Sequence, residues 1–100
     1  TIRRGDAWLK THLDAYVRWA DHNNSLFILT WDEDDGSEGN RIVTIFSGAM
    51  VRPGSYGERI DHYRVLRTVL GLFGLRGVGQ SERVAPIEGV WKAQREWQMK

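Results

Sequence analysis

The chain has 100 residues, a net charge of +1, 41% hydrophobic residues and no cysteine. That length bounds it to one domain burying about two thirds of its unfolded surface. The composition excludes disulfides and thiolate metal sites, and no run approaches the roughly 20 apolar residues of a membrane span.

Residues 1–40 hold 4 basic and 8 acidic side chains, residues 41–100 hold 10 and 5, and Asp32 to Glu38 places five acids among seven positions. The basic residues are spread singly along the chain rather than clustered beside stacking or groove-entering elements, so nucleic acid is not expected as a partner. The opening residues carry no charged-then-apolar leader pattern.

The first element is a helix. Asp6 is the expected N-cap after Gly5, and Leu9, Leu13, Tyr16, Val17 and Ala20 recur at helical spacing opposite Lys10, Asp14, Arg18 and Asp21. His22, Asn23 and Asn24 supply the stop. "SLFILT" (25–30) and "RIVTIF" (41–46) are short apolar runs bounded by turn residues, and they read as two buried strands. Four consecutive acids, Asp32, Glu33, Asp34 and Asp35, open the loop between them. After the turn at Pro53-Gly54, a second helix is expected from about Asp61, turning Val65, Leu66, Val69, Leu70 and Phe73 inward and ending at Gly74. "RGVGQSERVAPIEGVW" reads as loop, with Pro86, Ile87, Val90 and Trp91 as anchors, and the last nine residues as a short helix or a frayed end.

Two strands buried on both faces suit a helix-covered α/β sheet, yet a two-stranded sheet is marginal alone. The expectation is therefore part of a larger sheet that a further polypeptide completes. A carboxylate pair closing such a strand stands where α/β folds place ligands, and its oxygens suit a hard divalent cation. Neither specific motif fits. Counted from Asp32, a calcium loop would need acids or glycine where Gly36, Ser37 and Val43 stand, and no phosphate-cradling Gly-x-x-x-x-Gly-Lys-Ser/Thr loop accompanies the strand. A solvated acidic turn stays open as the plain alternative.

From "GDAWL" through "YVRWADHNNSLFILTWDEDD" and "NRIVTIFSGAMVRPGSYGERIDHYRVLRTVLGLFGL" to "PIEGVW", in consecutive order over roughly residues 5–91, the chain resembles the C-terminal part of the phosphoesterase family. That family holds acid phosphatases and phosphatidylcholine-type phospholipases C within the alkaline phosphatase superfamily. The resemblance implies a segment, over 1–100, of an α/β domain with helices on both faces of its sheet, here about two strands and two to three helices. It implies that Asp32 and Glu33 bind a divalent metal ion, that Asp34 and Asp35 are loop residues or partners that support those ligands, and that the nucleophile comes from an N-terminal part of the same enzyme. Phosphomonoesters or phospholipid head groups are the implied substrates, and secretion or the cell envelope the implied location. Arg41 stands where many relatives have a histidine, and a guanidinium cannot ligate a cation. His62 is read as a capping or packing residue, His12 and His22 as exposed or capping. Arg64 and Arg67 are read as solvated or paired with acids, and most tryptophans as core or as contacts to the missing part. The competing expectation is a non-catalytic module whose acidic loop binds a cation or a basic partner.

Overall fold

The computed structural model describes residues 1–93 and shows a mixed α/β arrangement of two α-helices, a two-stranded antiparallel sheet and a 3-10 helix. The residues group into two compact units, one of Thr1–Arg52 with Lys92, the other of Pro53–Trp91. No helix among the described residues is long and apolar enough to cross a membrane.

In the first unit, α1 spans Ile2–His22. Thr1, not Asp6, is its N-cap: the Thr1 hydroxyl accepts the Arg4 N–H at 3.2 Å. The helix runs straight through Gly5, whose N–H reaches the Thr1 carbonyl at 3.0 Å. The apolar period hides this first turn, because Ile2 is 94% exposed. Along the expected inner face, Leu9, Leu13 and Val17 are half-buried and Ala20 is fully buried. Tyr16 corrects that expectation: it is exposed, with its ring tilted 6.1 Å from Phe27. The stop is as expected. Asn23 is the C-cap, its amide donating to the Trp19 carbonyl at 2.7 Å, and Asn24 takes a positive φ of 49°.

β1 covers Leu26–Thr30 and β2 covers Thr44–Gly48, paired antiparallel from Leu26 opposite Gly48 to Thr30 opposite Thr44. The second strand thus begins three residues later than expected and runs two further, because the turn chemistry of the acidic loop consumes the chain up to Arg41. All five residues of β1 are half-buried, whereas Ile45 of β2 is exposed, so the pair is not sealed on both faces. Gly48 ends β2 with φ 154°, and a Cβ there would stand 2.2 Å from the Ser25 carbonyl oxygen. Only glycine allows that approach. Ala49, Met50 and Val51 follow as buried residues, tied by Ala49 N–H to Ala20 O and by Lys92 N–H to Met50 O.

In the second unit, α2 spans His62–Leu72 with Asp61 as N-cap, its carboxylate accepting the Arg64 N–H at 2.9 Å. The helix closes as expected on Gly74, at φ 69°. There the Leu75 N–H bonds to Leu70 O and the Gly74 N–H to Gly71 O, a Schellman closure. Val65, Val69 and Leu70 are half-buried, but Leu66 and Phe73, expected inward, are exposed because nothing among the described residues covers them. The buried side of α2 is instead Thr68, whose hydroxyl takes the buried Ile87 N–H at 2.8 Å. The stretch expected as loop contains a 3-10 helix over Gly79–Arg83. Ile87 is an anchor as expected, and Val90 and Trp91 are half-buried, while Pro86 is exposed. The short helix or frayed end expected at the C-terminus falls largely on residues 94–100, outside the described residues.

Candidate functional site

Beyond β1 the pairing continues one step, with Trp31 N–H on Val43 O at 3.2 Å, and the Thr30 and Thr44 hydroxyls share a hydrogen bond at 3.0 Å across the strands. The acidic loop springs from this fixed base. Its four acids split into two kinds.

Asp34 and Asp35 serve the loop itself. The Asp34 carboxylate accepts the N–H groups of Gly36 at 2.8 Å, Glu38 at 3.0 Å and Asn40 at 2.7 Å, while its own N–H donates to the Asn40 side chain at 3.0 Å. Asp35 accepts the Ser37 hydroxyl and, at 3.0 Å, the Ser37 N–H. These donors favour the charged form. The Gly36 N–H foremost, against an opposing effect of burial and with the N–H groups of Asn40 and Glu38, holds Asp34 below the usual carboxylate range. The Ser37 hydroxyl, then its N–H, does the same for Asp35. These local donors keep the Asp34 and Asp35 carboxylates charged within the loop.

Asp32 and Glu33 remain, both exposed, directly after the strand. Asp32 Oδ1 accepts the Glu33 N–H at 2.9 Å, which fixes the Asp32 side chain against its neighbour's backbone. As hard oxygen donors they suit a divalent cation such as Mg²⁺ or Ca²⁺, but two carboxylates fill only part of a shell of six or more oxygens. Among the described residues, no three His, Asp or Glu side chains gather as a metal-holding group.

His12 and His22 lie on α1, each with Nδ1 2.9 Å from the carbonyl four residues earlier, so Nδ1 carries the proton and donates. His12 also stacks on Trp8, with centroids 4.3 Å apart. His62 is the first residue of α2, after the capping Asp61. Arg41 is exposed, and its N–H closes the loop on Glu38 O at 3.1 Å. The sequence left Asp34 as a loop residue or a support for the ligands, although Asp-x-Gly and Asp-x-Ser spacing announces such side-chain-to-backbone turns.

Arg64 is paired with an acid, as read, and does more. Its guanidinium bonds to Glu58 and to the carbonyls of Arg59, Ala85 and Pro86. Arg67 donates to the Ser81 and Glu82 carbonyls.

The model of the phosphoesterase family matches residues 1–76. The chain belongs to the phosphoesterase family. Over 91 residues it is 53% identical to a phosphatidylinositol-3-phosphatase of Mycobacterium tuberculosis, a match covering 91% of this chain and 30% of that relative. The chain therefore spans about a third of the relative's length. No solved structure matches it.

Proposed function

We propose that the chain is the metal-holding part of a longer phosphoric ester hydrolase that removes phosphate from a lipid head group of the phosphoinositide class. The observation that carries this reading is the 53% identity to a protein named for phosphatidylinositol 3-phosphate hydrolysis, together with membership of the family. The site's geometry agrees with it. Asp32 and Glu33 present oxygen donors at the end of a paired strand, on a loop that Asp34 fastens through three N–H groups.

In this reading Asp32 and Glu33 hold a divalent cation, and Asp34 keeps the two carboxylates at one place by fixing the backbone just after them. The ion, when bound, offsets negative charge that builds on the phosphoryl oxygens during attack. The attacking hydroxyl and the remaining ligands belong to the upstream part of the polypeptide, and the whole acts in the cell envelope or outside the cell.

The test uses the full-length protein with phosphatidylinositol 3-phosphate and, separately, a water-soluble phosphate monoester. Turnover is expected to vanish with EDTA and to return with a divalent cation. Asp32→Asn and Glu33→Gln are each expected to lose at least about a hundred-fold, since metal charge stabilisation contributes several kcal/mol. Wild-type turnover in both variants would remove the pair from the site.

A further inference from the structure

From position 23 to position 51 the chain has a single basic residue, Arg41. The register of the hairpin places it. The strand pairs run from Leu26 opposite Gly48 to Thr30 opposite Thr44, and two links carry the same count past the end of the sheet. Trp31 N–H bonds to Val43 O at 3.2 Å. Asp34 and Asn40 then grip each other, Asp34 N–H on Asn40 Oδ1 at 3.0 Å and Asn40 N–H on Asp34 Oδ2 at 2.7 Å. Between these links the count sets Asp32 opposite Ile42 and Glu33 opposite Arg41. The Arg41 N–H on Glu38 O fastens its own backbone as well.

The backbone of Arg41 is committed and its guanidinium is not. Arg18 is paired with Asp14, Arg64 with Glu58, and Arg67 is taken up by two carbonyls. Arg41 is exposed and makes no ion pair with a described residue, although Glu33 stands opposite and five acids lie between positions 32 and 38. An exposed carboxylate offers a guanidinium little that water does not. A phosphoryl group offers more, with up to two negative charges and oxygens spaced for both arms of the guanidinium fork. Since a guanidinium cannot ligate a cation, its complement beside a cation-binding carboxylate pair is the anion that the cation also attracts.

We propose that Arg41 binds the phosphoryl group that the enzyme removes, its guanidinium donating to the phosphoryl oxygens from the strand opposite Glu33. The proposal rests on the phosphoric ester reading above and names the residue of this chain that meets the substrate.

The experiment titrates full-length, cation-loaded protein calorimetrically with inorganic phosphate and follows its kinetics on p-nitrophenyl phosphate and on phosphatidylinositol 3-phosphate. Arg41→Gln is expected to weaken phosphate binding at least about ten-fold and to lower kcat/KM at least about ten-fold on both substrates. Arg41→Lys, which keeps the charge and loses the fork, should fall between Arg41→Gln and wild type. Melting temperature and the cation concentration for half-maximal activity should stay at wild-type values in both variants, which separates a phosphate contact from support of the fold or of the Asp32–Glu33 pair. Phosphate affinity and kcat/KM equal to wild type in Arg41→Gln would overturn the proposal. So would a loss confined to the lipid substrate, because the guanidinium would then meet the phosphodiester of the lipid instead of the group removed. Failure of the functional reading shows differently, as absence of ester turnover in the wild type, and the phosphate titration of wild type against Arg41→Gln then decides on Arg41 alone.

Discussion

Removing either end of the Glu58–Arg64 pair should release the segment 85–89 from α2, and the two ends should differ in cost. Glu58 accepts the Glu88 and Gly89 N–H groups at 3.2 and 2.8 Å as well as the Arg64 guanidinium. Arg64 also serves the Ala85, Pro86 and Arg59 carbonyls. The two side chains keep only 19% and 24% of their exposure, between an exposed pair contributing under about 1 kcal/mol and a buried one whose disruption costs about 3–5. Glu58→Gln leaves the guanidinium its three carbonyls and should cost about 1–2 kcal/mol. Arg64→Met leaves three carbonyls without their donor and the Glu58 carboxylate without its cation, with only the Glu88 and Gly89 N–H groups left to it, and should cost more, about 2–4 kcal/mol. Urea unfolding of the full-length protein gives both values, and hydrogen exchange at the Ile87, Glu88 and Gly89 amides localises the loss. Both variants within about 0.5 kcal/mol of wild type, with unchanged exchange at these amides, would refute the reasoning.

The same pair sets an acid limit. Burial pushes the Glu58 carboxyl up, but the Glu88 and Gly89 N–H groups and Arg64 together outweigh it and hold the group below its ordinary range. With the folded value depressed, the unfolded chain binds the proton more readily, so this stability is present above the unfolded value near about 4.3 and is lost as pH falls through the lower folded value. Stability measured from pH 7 to 3 should fall more steeply below about pH 4 in wild type than in Glu58→Gln. Gly48→Ala should destabilise by at least about 2 kcal/mol, read as a lowered melting temperature, because its methyl would meet the Ser25 carbonyl oxygen at 2.2 Å. Asp34→Ala should speed hydrogen exchange at Gly36, Glu38 and Asn40 together, whereas Asp35→Ala should speed it at Ser37 alone.

The elements legible in the sequence were those whose signals are local. Asp61 and Gly74 bracket α2 by capping chemistry that needs no tertiary partner, and Asn23 and Asn24 end α1 in the same way. The start of α1 was not legible, since Thr1 caps a turn whose exposed Ile2 breaks the apolar period. The start of β2 moved because Asp34 and Asn40 grip each other across six residues, a contact that periodicity does not register. Helical period marked Leu66 and Phe73 as apolar-face residues without saying what they face. At the candidate site, residue type and position after a strand pointed to Asp32 and Glu33. The division of labour that leaves them outermost, while Asp34 and Asp35 turn onto the loop's amides, required coordinates.

As proposed, Asp32 and Glu33 hold a divalent cation in the full-length protein. Titrating metal-stripped full-length protein with the activating cation, while following phosphate release, tests it most directly. The cation concentration for half-maximal activity should rise at least about ten-fold in Asp32→Asn and in Glu33→Gln, at unchanged melting temperature of the metal-free proteins. Half-maximal concentrations equal to wild type in both variants would contradict it.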